Sequence, residues 1–251
     1  MLHDSRAVVR ERWDTVRGRR VRSLEAGFDR AGGPVVVLVP GLGAPRYLED
    51  TLARCAAWAH AFLLDVPGFG HVGANACEPA LSAVAETVAA WLSEVPGPSV
   101  LLAGHSTGAQ AALHATLARP DRVHRLVLLG PTFPPELRRF RGLGAAFVRN
   151  ALHEPPGLVG ALGPDYLRAG PEALARFVRS AQHDEPEKLI KSVECPVFFG
   201  RGRHDAFAPR SWMDRLAASA NHGGSWTVEG AHTFPYHRGV LTAHLLARAG
   251  S

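Results

Sequence analysis

The sequence predicts an α/β fold, in which a mostly parallel sheet carries helices on both of its faces. Three observations support this prediction. Short apolar runs typical of buried strands alternate with longer helix-forming segments along the chain. One such run, at residues 99–103, leads directly into the pentapeptide G-H-S-T-G at 104–108 and then into a helix-forming segment. The alternation is interrupted once, by about 65 residues between Gly130 and Pro196.

The predicted strands are apolar runs that end in turn residues. The run Val-Val-Val-Leu-Val at 35–39 is continuous and rich in β-branched residues, which is typical of a central strand buried on both faces. The stretch 20–28 alternates and predicts an edge hairpin of one strand or two. The remaining strands are predicted at 61–65, 99–103, 125–130, 196–200 and 225–228. Helices are predicted at 81–92, at 109–119 and from about 238 to 249.

The long interval after residue 130 predicts a helical insertion. It has too many residues for a single crossover helix, and its helix-forming pieces are separated by prolines. These prolines are at 134–135, 155–156, 164 and 171. We expect the insertion to lie at the carboxyl ends of the strands as a lid. The predicted organisation is therefore a core formed by residues 1–132 and 195–251, with a cap at residues 133–194.

Composition excludes several classes of protein. A chain of 251 residues that is 46% hydrophobic can bury one large core. No run approaches the 18 or so apolar residues of a membrane helix, and residues 1–13 lack the apolar centre of a signal peptide. The three cysteines are scattered, which indicates neither a disulfide framework nor a zinc site. The net charge of +5 comes from dispersed arginines, which argues against nucleic acid as a partner. We expect a cytoplasmic protein without a metal or cofactor.

Ser106, in the pentapeptide, is the candidate nucleophile. A strand, a sharp turn flanked by glycines and a helix would present its hydroxyl on an exposed and strained corner. The motif by itself is a weak signal, because a chain of this composition contains it by chance about once in ten cases. Suitable partners later in the chain are needed to support this interpretation.

Asp205 and His232 are the candidate partners of this serine. A serine hydroxyl needs a base, usually a histidine that is held in the correct tautomer by an acid. Asp205 follows the predicted strand at 196–200, and His232 follows the last strand after a turn that contains glycine. Asp205 could instead cap the helix that starts near Ser211. The rival bases His204, His222, His237 and His244 lack this position, and Glu229 is too close to His232 to orient it comfortably.

Two backbone amides are candidates for an oxyanion hole, which stabilises the negative charge that develops on a carbonyl under attack. One is the amide of Thr107, at the start of the helix that follows the nucleophile. The other is the amide of Leu42, in the glycine-containing turn after the first central strand. A simple tight strand-to-helix turn would also explain these glycines, and both explanations can hold together.

These motifs together resemble the α/β-hydrolase superfamily, in its compact branch with a helical cap after the sixth strand. The resemblance extends from about Val35 to the C-terminus. It is carried by the turn at 40–43, the D-x-P-G-x-G turn at 65–70, G-x-S-x-G at 104–108, G-x-x-D at 202–205 and G-x-H at 230–232. It implies an eight-stranded, mostly parallel sheet. The chain departs from the pattern at Pro40, where relatives usually have a histidine.

The resemblance implies a cofactor-independent serine hydrolase that acts on a small-molecule substrate. Ser106 would attack a carbonyl, His232 would carry the proton, and Asp205 would orient His232. The amides of Leu42 and Thr107 would hold the oxyanion, and water would release the acyl group. Because the nucleophile is serine, a carboxylic ester, thioester or lactone of a small, largely apolar molecule is the expected substrate.

Several alternatives stay open at this stage. Carbon–carbon bond hydrolases, aminopeptidases and perhydrolase-type relatives use the same three residues, and some members of the fold only bind ligands. An aminopeptidase would need a cap acid over the nucleophile, for which the chain offers Glu136, Glu154 and Glu172. The predicted substrate pocket is lined by four aromatic residues, which would otherwise form the core of the cap. They are Phe133, Phe140, Phe147 and Tyr166. Two explanations are open for the basic cluster Arg138, Arg139 and Arg141. It could bind an anionic carrier or a carboxylate, or it could form a solvated helix face.

Overall fold

The structure is a computed structural model, which describes residues 7–29 and 32–251 except for the side chains of Phe140 and Arg141. Eight strands of the described residues form one sheet: β1 (Val9–Val16), β2 (Arg19–Ala26), β3 (Val35–Val39), β4 (His60–Asp65), β5 (Val100–His105), β6 (Val123–Leu129), β7 (Val197–Gly202) and β8 (Gly223–Val228). Their spatial order is β1-β2-β4-β3-β5-β6-β7-β8. The pairs β1–β2 and β2–β4 are antiparallel and all the others are parallel. The predicted eight-stranded, mostly parallel sheet is confirmed.

Nine helices in the described part of the chain surround this sheet: α1 (Glu49–Cys55), α2 (Leu81–Trp91), α3 (Thr107–Ala118), α4 (Phe140–Ala151), α5 (Leu158–Gln182), α6 (Pro186–Leu189), α7 (Arg210–Ser219), α8 (Phe234–His237) and α9 (Gly239–Gly250). Residues of α2, α3 and α7 pack on one face of the sheet, and residues of α1 and α9 pack on the other. Along β3, the odd-numbered valines point to the first face and Val36 and Leu38 to the second. Both faces of the central strands are therefore buried, as their continuous apolar sequence predicts.

The edge hairpin differs from the prediction. It consists of β1 and β2, joined by a turn at Arg17 and Gly18, whereas the sequence placed it within residues 20–28. Most residues of β1 are exposed or half-buried, which is why its sequence is polar and gives no apolar run.

The segment between β6 and β7 contains helices α4, α5 and α6. Pro164 lies inside α5 and does not separate two helices, contrary to the sequence-based expectation. Pro171 does coincide with an interruption, because the preceding Gly170 has a φ of +75° and breaks the helical backbone. The segment shares its apolar core with the rest of the molecule, since Phe177 and Leu158 pack against opposite faces of the sheet. Within the described residues, no helix combines the length and the apolar character that crossing a bilayer requires.

Candidate active site

Ser106 forms the whole turn between β5 and α3. Its φ of +57° and ψ of −125° lie in a region that residues with a side chain rarely adopt. Two backbone hydrogen bonds hold the turn. The Ser106 amide donates to the carbonyl oxygen of Leu129 at 2.9 Å, and the amide of Ala109 donates to the Ser106 carbonyl oxygen at 3.0 Å. The predicted strained corner is present, and it presents a half-buried serine.

The two flanking glycines are required by close packing. A Cβ atom on Gly104 would lie 2.2 Å from the carbonyl oxygen of Gly108, and a Cβ on Gly108 would lie 2.4 Å from that of Val39. Contacts this short with backbone atoms cannot be relieved by moving a flexible side chain. Only glycine fits at both positions, so the backbone of this turn explains the spacing of the motif.

Asp205 and His232 form a buried pair beside this turn. Nδ1 of His232 donates to Oδ2 of Asp205 at 3.0 Å, and the two residues are 5% and 2% exposed. The other carboxylate oxygen, Oδ1, accepts the amides of Phe207 and Ala208 at 2.9 Å each. Both amides precede α7, whose N-cap is Pro209, so Asp205 does not cap that helix. Its two oxygens are instead oriented by its own loop and by the imidazole.

The pair favours the charged forms of both residues. Burial is the largest single influence on Asp205 and raises its pKa, but the charge and hydrogen bond of His232 and the amide of Ala208 outweigh it, so the pKa is lowered. Burial also has the largest effect on His232, where it lowers the pKa. The charge and hydrogen bond of Asp205, together with the charge of Glu154, overcome burial and raise the pKa of His232. The imidazole is therefore a stronger base than an ordinary histidine.

The structure brings the serine to the same edge of the sheet as this pair. His105, the residue before Ser106, has its ring centroid 4.8 Å from that of His232. The Ser106 hydroxyl makes no hydrogen bond to any residue that the structure describes.

The candidate oxyanion turn lies against the serine, but one of its amides is already occupied. A Cβ on Gly41 would be 2.7 Å from Cβ of Ser106, which shows how closely the turn approaches. The amide of Leu42 donates to Oγ1 of Thr107 at 2.8 Å. In this structure the amide is therefore engaged by the threonine hydroxyl at the start of α3, and its role in an oxyanion hole stays a prediction. The backbone amide of Thr107 makes no hydrogen bond within residues 7–29 and 32–251, as is usual in the first turn of a helix.

A buried chain of hydrogen bonds, missed by the sequence analysis, supports both the turn and the histidine loop. The Gly41 amide donates to the Tyr47 hydroxyl oxygen at 2.7 Å, and that hydroxyl lies 2.6 Å from Nδ1 of His105. Nε2 of His105 lies 2.9 Å from the carbonyl oxygen of His232. Because a carbonyl oxygen only accepts, Nε2 of His105 carries the proton, and Nδ1 accepts the Tyr47 hydroxyl.

The ionisation states in this chain of hydrogen bonds are fixed by burial. The pKa of His105 is lowered to about 3, first by burial and then by the charge of His232, so the ring is neutral. Burial raises the pKa of Tyr47 well above its usual value, so the phenol keeps its proton.

The cap acids predicted for an aminopeptidase have three different settings in the structure. Both oxygens of Glu154 accept hydrogen bonds from Thr233. Glu172 is exposed and pairs with Arg176. Glu136 lines a cavity of about 550 Å³ whose lining includes Asp205 but not Ser106.

Three of the four predicted pocket residues have described side chains, and they lie in different settings. Phe133 is buried in a small cluster with Leu137, so it contributes to the packing of the cap. Phe147 is 65% exposed, and Tyr166 is half-buried and packs against the core cluster on the α1 face. The side chain of Phe140 lies outside the described part of the structure. The substrate-binding role of these residues stays a prediction, and Phe133 and Tyr166 belong to two different apolar clusters.

Two members of the predicted basic cluster have described side chains. Arg138 pairs with Glu187 at 2.7 Å and Arg139 is exposed, while the side chain of Arg141 lies outside the description. In the part of the chain that the structure describes, no group of His, Cys, Asp and Glu is suited to hold a metal ion.

Comparisons with known proteins agree with this fold. A model of the alpha/beta hydrolase family matches residues 36–245 of the chain. The 2-hydroxy-6-oxononadienedioate/2-hydroxy-6-oxononatrienedioate hydrolase 2 of Pseudomonas putida is 26% identical over 254 residues, which span 84% of this chain and 87% of that protein.

Solved structures share the fold. The serine hydrolase involved in carbazole degradation, the CarC enzyme, aligns with a TM-score of 0.76 and 19% identity over 96% of this chain and 98% of that chain. A thermophilic esterase from Thermogutta terrifontis aligns with a TM-score of 0.74 and 17% identity over 96% of this chain and its own full length. At these identities the likeness concerns the fold.

Proposed function

Because the chain belongs to the alpha/beta hydrolase family, we propose that it is a serine hydrolase with Ser106 as its nucleophile. His232 is the base that accepts the serine proton at Nε2, and Asp205 holds the ring in the tautomer that leaves Nε2 unprotonated. The observation that carries the proposal is the buried Asp205–His232 pair beside the strained turn of Ser106.

The proposed reaction proceeds through an acyl-enzyme. Oγ of Ser106 bonds to the substrate carbonyl carbon while its proton moves to His232. The tetrahedral intermediate then collapses as His232 returns that proton to the leaving group. A water molecule, deprotonated by His232, repeats the attack and releases the acid. The Thr107 amide donates to the oxyanion. The Leu42 amide, which donates to the Thr107 hydroxyl in this structure, donates to the oxyanion instead during the reaction.

The proposed substrate is a small, largely apolar carboxylic ester, thioester or lactone, and residues 133–194 act as the cap that selects it. Buried polar contacts attach this segment to the core and support that role. Gln110 of α3 donates to the carbonyl oxygen of Ala181 at 2.9 Å, and Asp165 is buried and pairs with Arg46 at 3.1 Å.

Hydrolysis of a carbon–carbon bond is the second candidate. The similarity to the Pseudomonas putida hydrolase, whose name specifies an oxo-dienedioate, favours it. The aminopeptidase alternative is weakened, because Glu154 and Glu172 have other partners and Glu136 lines a cavity that does not include Ser106.

Labelling with a fluorophosphonate probe tests the nucleophile. We expect the protein to be labelled at Ser106 and Ser106→Ala to lose the label while keeping the circular dichroism spectrum of the wild type. Cys55 and Cys77 should not compete, because burial raises the pKa of their thiols to about 12 and about 11. Labelling that persists in Ser106→Ala would refute the assignment. A panel of esters, thioesters, lactones and ring-cleavage diketones then separates the two candidate reactions.

A further inference from the structure

Glu154 joins the proposed cap to the loop that carries His232. It lies between α4 and α5, and its contact is Thr233, the residue that directly follows His232 in the chain. The two residues are 79 positions apart in sequence. Glu154 therefore connects the insertion to the catalytic side of the core.

Both carboxylate oxygens of Glu154 accept hydrogen bonds from Thr233. Oε1 accepts the backbone amide of Thr233 at 2.9 Å, and Oε2 accepts the Thr233 hydroxyl. A second contact strengthens the same junction, because the Tyr236 hydroxyl donates to the carbonyl oxygen of Gly157 at 3.1 Å. The two hydrogen bonds to the Glu154 carboxylate are charge-assisted. Such bonds are roughly twice as strong as neutral ones, and a pair of them fixes orientation.

The charge of Glu154 also acts on the imidazole of His232. Among the described residues, Asp205 from the loop after β7 and His105 from β5 contact that ring, and the charge of Glu154 reaches it from the neighbouring Thr233. His105 is neutral, so the two carboxylates supply the negative charge. Glu154 acts on the His237 imidazole as well, in the same direction.

We propose that Glu154 is a positioning residue of the reaction, in which it fixes the backbone next to His232 and stabilises the imidazolium that forms when Ser106 is deprotonated. This inference rests on the proposed function, because it gives His232 the role of base. In this proposal the Glu154 carboxylate binds the loop that carries His232, so Glu154 is not a binding group for a substrate ammonium.

Two variants separate the geometry from the charge. Glu154→Gln keeps an oxygen for the Thr233 amide and places an NH₂ group beside the Thr233 hydroxyl, which can accept from it. Glu154→Ala removes both contacts. Glu172→Gln is the matched control, because it removes an equal charge from the same segment at a side chain that is 89% exposed.

The assay is the second-order rate constant of fluorophosphonate labelling measured against pH, which requires no knowledge of the substrate. Labelling increases with pH as His232 loses its proton. Loss of the Glu154 charge lowers the pKa of His232, so in Glu154→Gln the acid limb moves to lower pH. In Glu154→Ala we expect labelling at the plateau to fall about 10- to 100-fold, because the histidine loop is no longer held. Glu172→Gln follows the wild type in both respects.

The outcomes distinguish this inference from the proposed function. If the label does not depend on Ser106, the proposed function fails. If the label depends on Ser106 but the acid limb of Glu154→Gln coincides with that of the wild type, the role of Glu154 is refuted. Thermal denaturation of each variant identifies a loss of labelling that results from unfolding, and Glu154→Gln provides the decisive comparison if Glu154→Ala does not fold.

Discussion

The substitution Tyr47→Phe removes one oxygen atom and leaves two buried groups without a partner. The Tyr47 hydroxyl accepts the Gly41 amide and donates to Nδ1 of His105. Both Tyr47 and His105 are 2% exposed, so water does not replace the lost hydroxyl. The phenylalanine ring keeps the packing, and the substitution therefore tests the hydrogen bonds alone.

The expected cost follows from the number of groups left unsatisfied. Each buried donor or acceptor that loses its partner costs about 1–3 kcal/mol. With two such groups, Tyr47→Phe should lower the free energy of unfolding by about 2–6 kcal/mol. This is a large part of the roughly 5–15 kcal/mol by which a domain is stable.

Urea denaturation followed by circular dichroism measures this difference. Tyr236→Phe is the matched control, because its hydroxyl makes a single hydrogen bond in an exposed setting. We expect that variant to lose about 0.5 kcal/mol or less. Equal denaturant slopes for wild type and variants would show that the comparison concerns the folded state.

The reasoning would be refuted if Tyr47→Phe and Tyr236→Phe lost the same stability. That result would mean that the Gly41 amide and His105 find other partners. A loss of stability that matches the expected value, together with slower fluorophosphonate labelling, would show that the same hydroxyl supports the candidate oxyanion turn.

Two further predictions concern the acid and the base. Asp205→Asn should slow fluorophosphonate labelling by about a thousandfold, because an amide at this position no longer favours the tautomer with an unprotonated Nε2; a rate within tenfold of the wild type would contradict the role of Asp205. In the wild type, the labelling rate should reach half its maximum above pH 6.5, the ordinary value for histidine, because the pKa of His232 is raised in the folded protein and the base acts only after it loses its proton. A midpoint below pH 6.5, measured from pH 5 to 9, would contradict the second prediction.

The features that the sequence predicted well are encoded over a few neighbouring residues. The apolar run of β3 has the same bounds in the prediction and in the structure. The turn at Ser106 was predictable because two glycines, a strand and a helix adjoin it. The edge strand β1 was not predicted, since an exposed strand has no need of apolar residues and its sequence resembles a loop.

The supports of the candidate site were beyond prediction because they join distant segments. Tyr47 and His105 are 58 positions apart, and Glu154 and Thr233 are 79 apart. Neither pair belongs to a motif with fixed spacing. The engagement of the Leu42 amide by Thr107 was missed for the same reason, because it depends on how closely one turn approaches the start of α3. Sequence patterns predict which residues begin a strand or a helix, whereas these contacts follow from the packed structure.

Three contacts fix the position of the His232 imidazole and of the backbone beside it. Asp205 binds Nδ1, Nε2 of His105 donates to the carbonyl oxygen of His232, and Glu154 binds the next residue. These contacts come from the loop after β7, from β5 and from the segment proposed as the cap. In the described part of the chain Nε2 of His232 has no hydrogen-bond partner, which is compatible with the proton transfer proposed for that atom. Because one of the contacts comes from residues 133–194, a change in that segment should alter the reactivity of Ser106 as well as the choice of substrate.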